Sequence, residues 1–121
     1  MSDDNLQPLR QACEGLLYPS ETDAPLEVFL WKGTGPATAR AAVEGRVGGN
    51  KAIEEVETSE FFDALEDSED APRFRSLQRL LCQQLVDVTV LRAGARKIDI
   101  YLIGRTHAGD WAGVHTVSVE T

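Results

Sequence analysis

Cysteine is scarce, occurring only at Cys13 and Cys82 in 121 residues. Two thiols without a histidine at ligand spacing make no zinc site. A chain of this size buries about two-thirds of its unfolded surface and needs no covalent staple. Both cysteines fall in expected helices and read as reduced, largely buried apolar side chains, with nothing demanding a disulfide. No apolar run reaches the ~20 residues that span a bilayer. The opening MSDDNLQPLRQ lacks the apolar core of a secretion signal. A cytoplasmic protein with no membrane partner is expected. Positive charge is also in short supply, with 12 Lys and Arg against 20 Asp and Glu, a net charge of -8. Such a surface repels phosphates, which argues against direct binding to nucleic acid or anionic lipid and favours a basic protein partner.

Catalytic and cofactor signatures are missing too. Neither Ser20 nor Ser59 lies in a G-x-S-x-G elbow. Gly33-Thr34-Gly35-Pro36 joins a strand to a helix, but it has a proline where a dinucleotide fingerprint needs its third glycine, so it reads as a turn. The run Gly45 to Lys51 follows a helix and precedes a strand, the reverse of a P-loop, and no Ser or Thr follows the lysine. His107, Asp110 and His115 are a sparse metal set that no other ligand joins at a recognised spacing. The expectation is a protein that is not an enzyme and has no cofactor and no metal of its own.

The periodicities describe one domain over residues 1–121. Leu6, Leu9, Cys13, Leu16 and Leu17 form an apolar stripe, predicting a helix over 6–17 capped by Asp4 or Asn5. Ser20 to Pro25 reads as a loop. Leu26 to Trp31 is apolar on both faces, as in a central strand covered on both sides. A short helix over 38–47, closed by Gly48-Gly49, a weaker strand over 52–58 and a brief helix from Ser59 follow. Phe74, Leu77, Leu81, Leu85 and Val88 predict a long helix over 72–88. The remainder reads as a meander with strands over 88–92, 97–104 and 111–120, turning at Ala93-Gly94-Ala95 and His107-Ala108-Gly109-Asp110. The expected class is α+β: a small, largely antiparallel sheet with helices on both faces.

The strongest compositional feature is a run of nine acids from Glu54 to Asp70, with no lysine or arginine between Ala52 and Pro72. It reads as a solvated face, or as a negative surface that meets a positive partner and speeds encounter by about 10 to 10³.

Both ends of the chain carry a resemblance. Leu9-Arg10-Gln11-Ala12, Gly15-Leu16-Leu17, Ser20-Glu21 and Glu27-Val28-Phe29-Leu30-Trp31 followed by Gly33 resemble the opening of the nuclease A inhibitor family, small inhibitors of sugar-nonspecific DNA/RNA nucleases. Asp99-Ile100-Tyr101-Leu102-Ile103-Gly104, Thr106, Ala108-Gly109, Ala112-Gly113, Thr116 and Val119-Glu120-Thr121 resemble its close. The resemblance implies a PR-1-like α/β/α sandwich, monomeric when free, that binds and blocks a basic, Mg-dependent nuclease with a ββα-metal active site. In the family a glutamate in the loop after the first helix approaches that metal, and Ser20-Glu21 is the matching position. Thr121 matches a C-terminal threonine that reaches the interface. The implied partner-binding set is Ser20, Glu21, Thr22, Asp23, Glu120 and Thr121. Prolines at 19 and 25 bracket the loop and limit its freedom, as a rigid mount for an anion requires.

The middle, Thr34 to Arg73, matches poorly. The family's longer loop before the long helix carries an aromatic contact residue, whereas Asp63 to Asp70 is shorter and has none. Two alternatives stand beside inhibition: an interaction domain with another partner, and an enzyme or small-ligand binder, metal-dependent in one version, near His107, Asp110 and His115.

Overall fold

The computed structural model describes residues 6–32, 37–48 and 51–119. Its elements in chain order are α1 (Gln7–Cys13), β1 (Leu17–Tyr18), β2 (Ala24–Pro25), β3 (Glu27–Trp31), α2 (Ala39–Val47), β4 (Ile53–Val56), α3 (Thr58–Asp63), α4 (Ala71–Gln84), β5 (Val86–Ala93), β6 (Lys97–Arg105) and β7 (Trp111–Val119). A five-stranded antiparallel sheet has the order β3-β7-β6-β5-β4, and β1 and β2 form a separate two-stranded ribbon. The class is therefore α+β, with helices packed on both faces of the sheet.

Strand alternation divides the core in two. Val28, Leu30, Val90, Ile98, Ile100, Leu102, Ala112 and Val114 face the stripes of α1 and α4, where Leu9, Leu77 and Leu81 are wholly buried. On the other face, Leu91, Tyr101, Ile103 and Trp111 pack with Phe29 and Trp31 under Ala42 and Val43 of α2. Thr38 starts α2 by accepting the Ala41 N–H on its hydroxyl at 3.1 Å, an N-terminal cap. Gly113 of β7 lies opposite Phe29, and a Cβ there would stand 1.8 Å from the Leu102 carbonyl oxygen, so only glycine fits between these strands.

Four expectations are corrected. β3 is not central but lies at a sheet edge. Its apolar residues are explained by cover on its two faces, from the α1/α4 core and from the aromatic cluster, and neither implies a strand neighbour on each side. α4 ends at Gln84 and Val88 already belongs to β5, because Leu85 turns extended at φ -128° and ψ 157°. Cys82 is exposed, while Cys13 is buried; burial pushes the Cys13 thiol up to about 11, against the nearby Arg73 charge that draws it down. Leu17, placed in the apolar stripe, is 45% exposed because the helix has already stopped. Asp4, Asn5, the 33–36 turn and Gly49 lie outside the described residues.

Candidate functional site

The helix α1 ends because Gly15 takes a φ of 72°, a left-handed conformation that glycine adopts without strain. Arg73 of α4 reaches across to this end, donating to the carbonyls of Ala12 at 3.0 Å and Glu14 at 2.6 Å. Helix termini leave such carbonyls without intrahelical partners, and a guanidinium satisfies both. The chain then enters the ribbon, where Leu17 pairs with Pro25 and Tyr18 with Ala24. The Tyr18 ring stacks on Phe61 of α3 at 5.7 Å, which fixes the stem from the helical side.

The tip of this ribbon is residues 19–23, and it is tied to the far end of the chain. Ser20 Oγ accepts the Val119 N–H at 3.2 Å and donates to the Thr22 carbonyl at 2.8 Å. The Glu21 N–H donates to the Val119 carbonyl at 3.3 Å. Both backbone groups of the last described residue of β7 are thus engaged by adjacent loop residues. Lower down, Thr116 Oγ1, almost fully buried, donates to the Pro25 carbonyl at 3.0 Å. Glu21, Thr22 and Asp23 are exposed and Ser20 is half-buried. The structure therefore brings Ser20, Glu21, Thr22 and Asp23 together beside the end of β7, while Glu120 and Thr121 lie outside the described residues.

Beside the tip is a groove of about 450 Å³ floored by Leu17, Pro19 and Phe74, with Asp23, Asp67, Glu69 and Asp70 on its walls. Four carboxylates lining one groove present a negative potential to any approaching group. The acidic run is divided by the fold. Glu55 accepts the Thr89 hydroxyl at 3.1 Å on the sheet edge, and Asp63 and Glu66 both pair with Arg75 of α4. Only the last part, from Asp67, reaches the groove. Its backbone is a series of turns, in which Ser68 Oγ donates to the Leu65 carbonyl at 2.9 Å and the Ala71 N–H to the Ser68 carbonyl at 3.2 Å.

The alternative site is dispersed. His107 and Asp110 occupy the β6–β7 turn, whereas His115 lies within β7 opposite Tyr101 and Glu27. There its Nε2 meets Asp99 Oδ1 at 3.0 Å, and Asp99 also takes the Lys51 ammonium at 2.9 Å. Burial disfavours the Asp99 charge, yet hydrogen bonds from Lys51 and His115 outweigh it and hold the carboxyl below the usual range. Among the described residues no group of three or more His, Cys, Asp or Glu is arranged to hold a metal ion, and no helix is long and apolar enough to cross a membrane.

The tethering contacts of Arg73, Thr116 and Val119 escaped the sequence reading, which held Thr116 and Val119 only as matches to the family's close, because they span 61, 91 and 99 positions. Asp67, Glu69 and Asp70 were visible only as members of a run. A family model described as nuclease A inhibitor-like protein matches residues 3–121. No curated protein matches the chain.

Proposed function

Because the chain belongs to the nuclease A inhibitor-like family, we propose that it inhibits a Mg-dependent, sugar-nonspecific nuclease by lodging the 19–23 loop in the enzyme's active site. The observation that carries this reading is the double engagement of Val119 by Ser20 and Glu21, beneath exposed carboxylates at 21 and 23. A nuclease cleft is built to receive phosphate oxygens beside a metal ion and basic side chains. A carboxylate offers hard oxygen of the same kind and contains no scissile bond. Glu21 is the residue assigned to the enzyme's metal or its bound water, and Glu120 and Thr121 are assigned to the same cleft.

Rigidity matters because ordering an interface loop on binding costs about 0.5–1.5 kcal/mol per immobilised side chain. A loop already fastened to β7 at Val119, on a ribbon that Thr116 of β7 holds at Pro25, forgoes much of that cost. The net charge of -8 and the acidic groove steer the protein towards a basic enzyme and away from nucleic acid. A one-to-one complex of a free monomer would bury about 1,600 Å². The family placement also supports a non-catalytic role, in which the chemistry and the metal belong to the target.

The test is an inhibition titration of purified ββα-metal nucleases with the wild-type protein and with Glu21→Ala. Stoichiometric inhibition by the wild type, strongly weakened in the variant, is the expected result. Absence of inhibition across such a panel would defeat the proposal. A second reading, an interaction domain with another partner, is favoured by one feature: the turns between Asp63 and Asp70 contain no aromatic anchor. It predicts capture of non-nuclease partners that Glu21→Ala leaves untouched.

A further inference from the structure

Ser20 stands out within the tip because its side chain turns back to the scaffold. Its hydroxyl gives its single donor to the Thr22 carbonyl and accepts from the Val119 N–H. A hydroxyl so occupied is poorly placed to recognise a partner, whereas it is well placed to fix the backbone on either side of Glu21. The Thr22 carbonyl bond closes a local turn around residue 21, and the Val119 bond sets that turn against β7. The Glu21 N–H to Val119 carbonyl bond, at 3.3 Å, is the longer contact of the pair and depends on the loop already lying against the strand.

We infer that Ser20 is a positioning residue: its hydroxyl locks Glu21 to the end of β7, so that the loop carboxylate and the strand terminus dock as one unit. Threonine is the conservative replacement, because it retains the hydroxyl and has restricted side-chain rotation. Alanine removes the acceptor for Val119 and the donor for Thr22 together. The inference rests on the inhibitory reading for its consequence, but the lock itself is a property of the free protein.

The experiment therefore has two arms, using the full chain as wild type, Ser20→Ala and Ser20→Thr. In the free protein, amide hydrogen exchange at Glu21 and Val119 is expected to accelerate about fivefold in Ser20→Ala, the factor that a net hydrogen bond represents. Ser20→Thr is expected to restore protection, with exchange in the core of β6 unchanged in both variants. In the bound arm, inhibition of a ββα-metal nuclease should weaken about tenfold in Ser20→Ala, chiefly through faster dissociation. A double-mutant cycle should show Glu21→Ala costing less in the Ser20→Ala background than in wild type, because the two residues act through one geometry.

Unchanged exchange at both amides in Ser20→Ala would overturn the inference, and so would additive losses in the cycle. Loss of inhibition with unchanged exchange would likewise overturn it, by making Ser20 a direct contact. If the wild type inhibits no nuclease, the proposed function fails while the exchange arm still decides the lock.

Discussion

The 19–23 loop and the β6–β7 turn are both short polar connections carrying an exposed or half-exposed acid, yet they are held in opposite ways. The turn is closed by hydrogen bonds among its own residues. The Thr106 N–H donates to the Asp110 carbonyl at 2.8 Å, the Gly109 N–H to the Thr106 carbonyl at 2.9 Å, and the Asp110 N–H to Thr106 Oγ1 at 3.1 Å. Such bonds belong to the local sequence and survive wherever the turn is placed. The loop, by contrast, owes its position to Val119 and, through Pro25 of its ribbon, to Thr116, both distant in sequence. A local turn fixes only its own shape. A long-range tether fixes where an acid sits relative to another part of the surface, which is what docking requires.

The largest expected effect that sharpens this contrast is on binding. Glu21→Ala should reduce inhibition of the cognate nuclease by at least about 30-fold, the ~2 kcal/mol typical of a central interface residue, while His107→Ala in the turn changes it less than twofold. Equal losses in parallel titrations would erase the distinction between the two regions.

Arg73→Ala should come next. It leaves the Ala12 and Glu14 carbonyls without their guanidinium and should destabilise the fold by about 1.5–3 kcal/mol, seen in urea unfolding. If stability is unchanged, the α1 terminus does not depend on α4. Thr116→Val keeps the shape but removes the hydrogen bond to Pro25, for a smaller cost of about 1 kcal/mol. A matching Thr106→Ala change should lower stability by a similar or smaller amount and leave inhibition intact. The pair together separates tethering from local turn stability.

The smallest effect concerns pH. Because the folded state lowers the Asp99 pKa, this group stabilises the protein fully above the unfolded carboxylate value of about 3.9 and loses that contribution as pH falls through the folded value. Asp99→Asn should therefore flatten the acid limb of a stability profile. An unchanged acid limb would show that the Lys51 and His115 contacts do not persist in solution.

Much of the fold was legible because it rests on local periodicity. The α4 stripe of Phe74, Leu77 and Leu81 and the alternation of β6 and β7 repeat at intervals that one element enforces on itself. β1 and β2 were not legible. Two-residue strands beside prolines carry no period, and they exist because β7 lies against them. The edge position of β3 was hidden for a related reason, since apolar residues report burial of faces and say nothing about hydrogen-bonding edges. In the candidate site, residues 20–23 were recoverable from the resemblance. The groove built from Asp23, Asp67, Glu69 and Asp70 was not, because one carboxylate comes from the loop and three from a segment more than forty positions away.

Hydrogen-exchange footprinting of the protein with and without a stoichiometric ββα-metal nuclease tests the central claim most directly. The account predicts new protection confined to residues 19–25 and the end of β7, with the 106–110 turn unaffected. Protection at the turn with none on the loop, or no complex with any such nuclease, would contradict it.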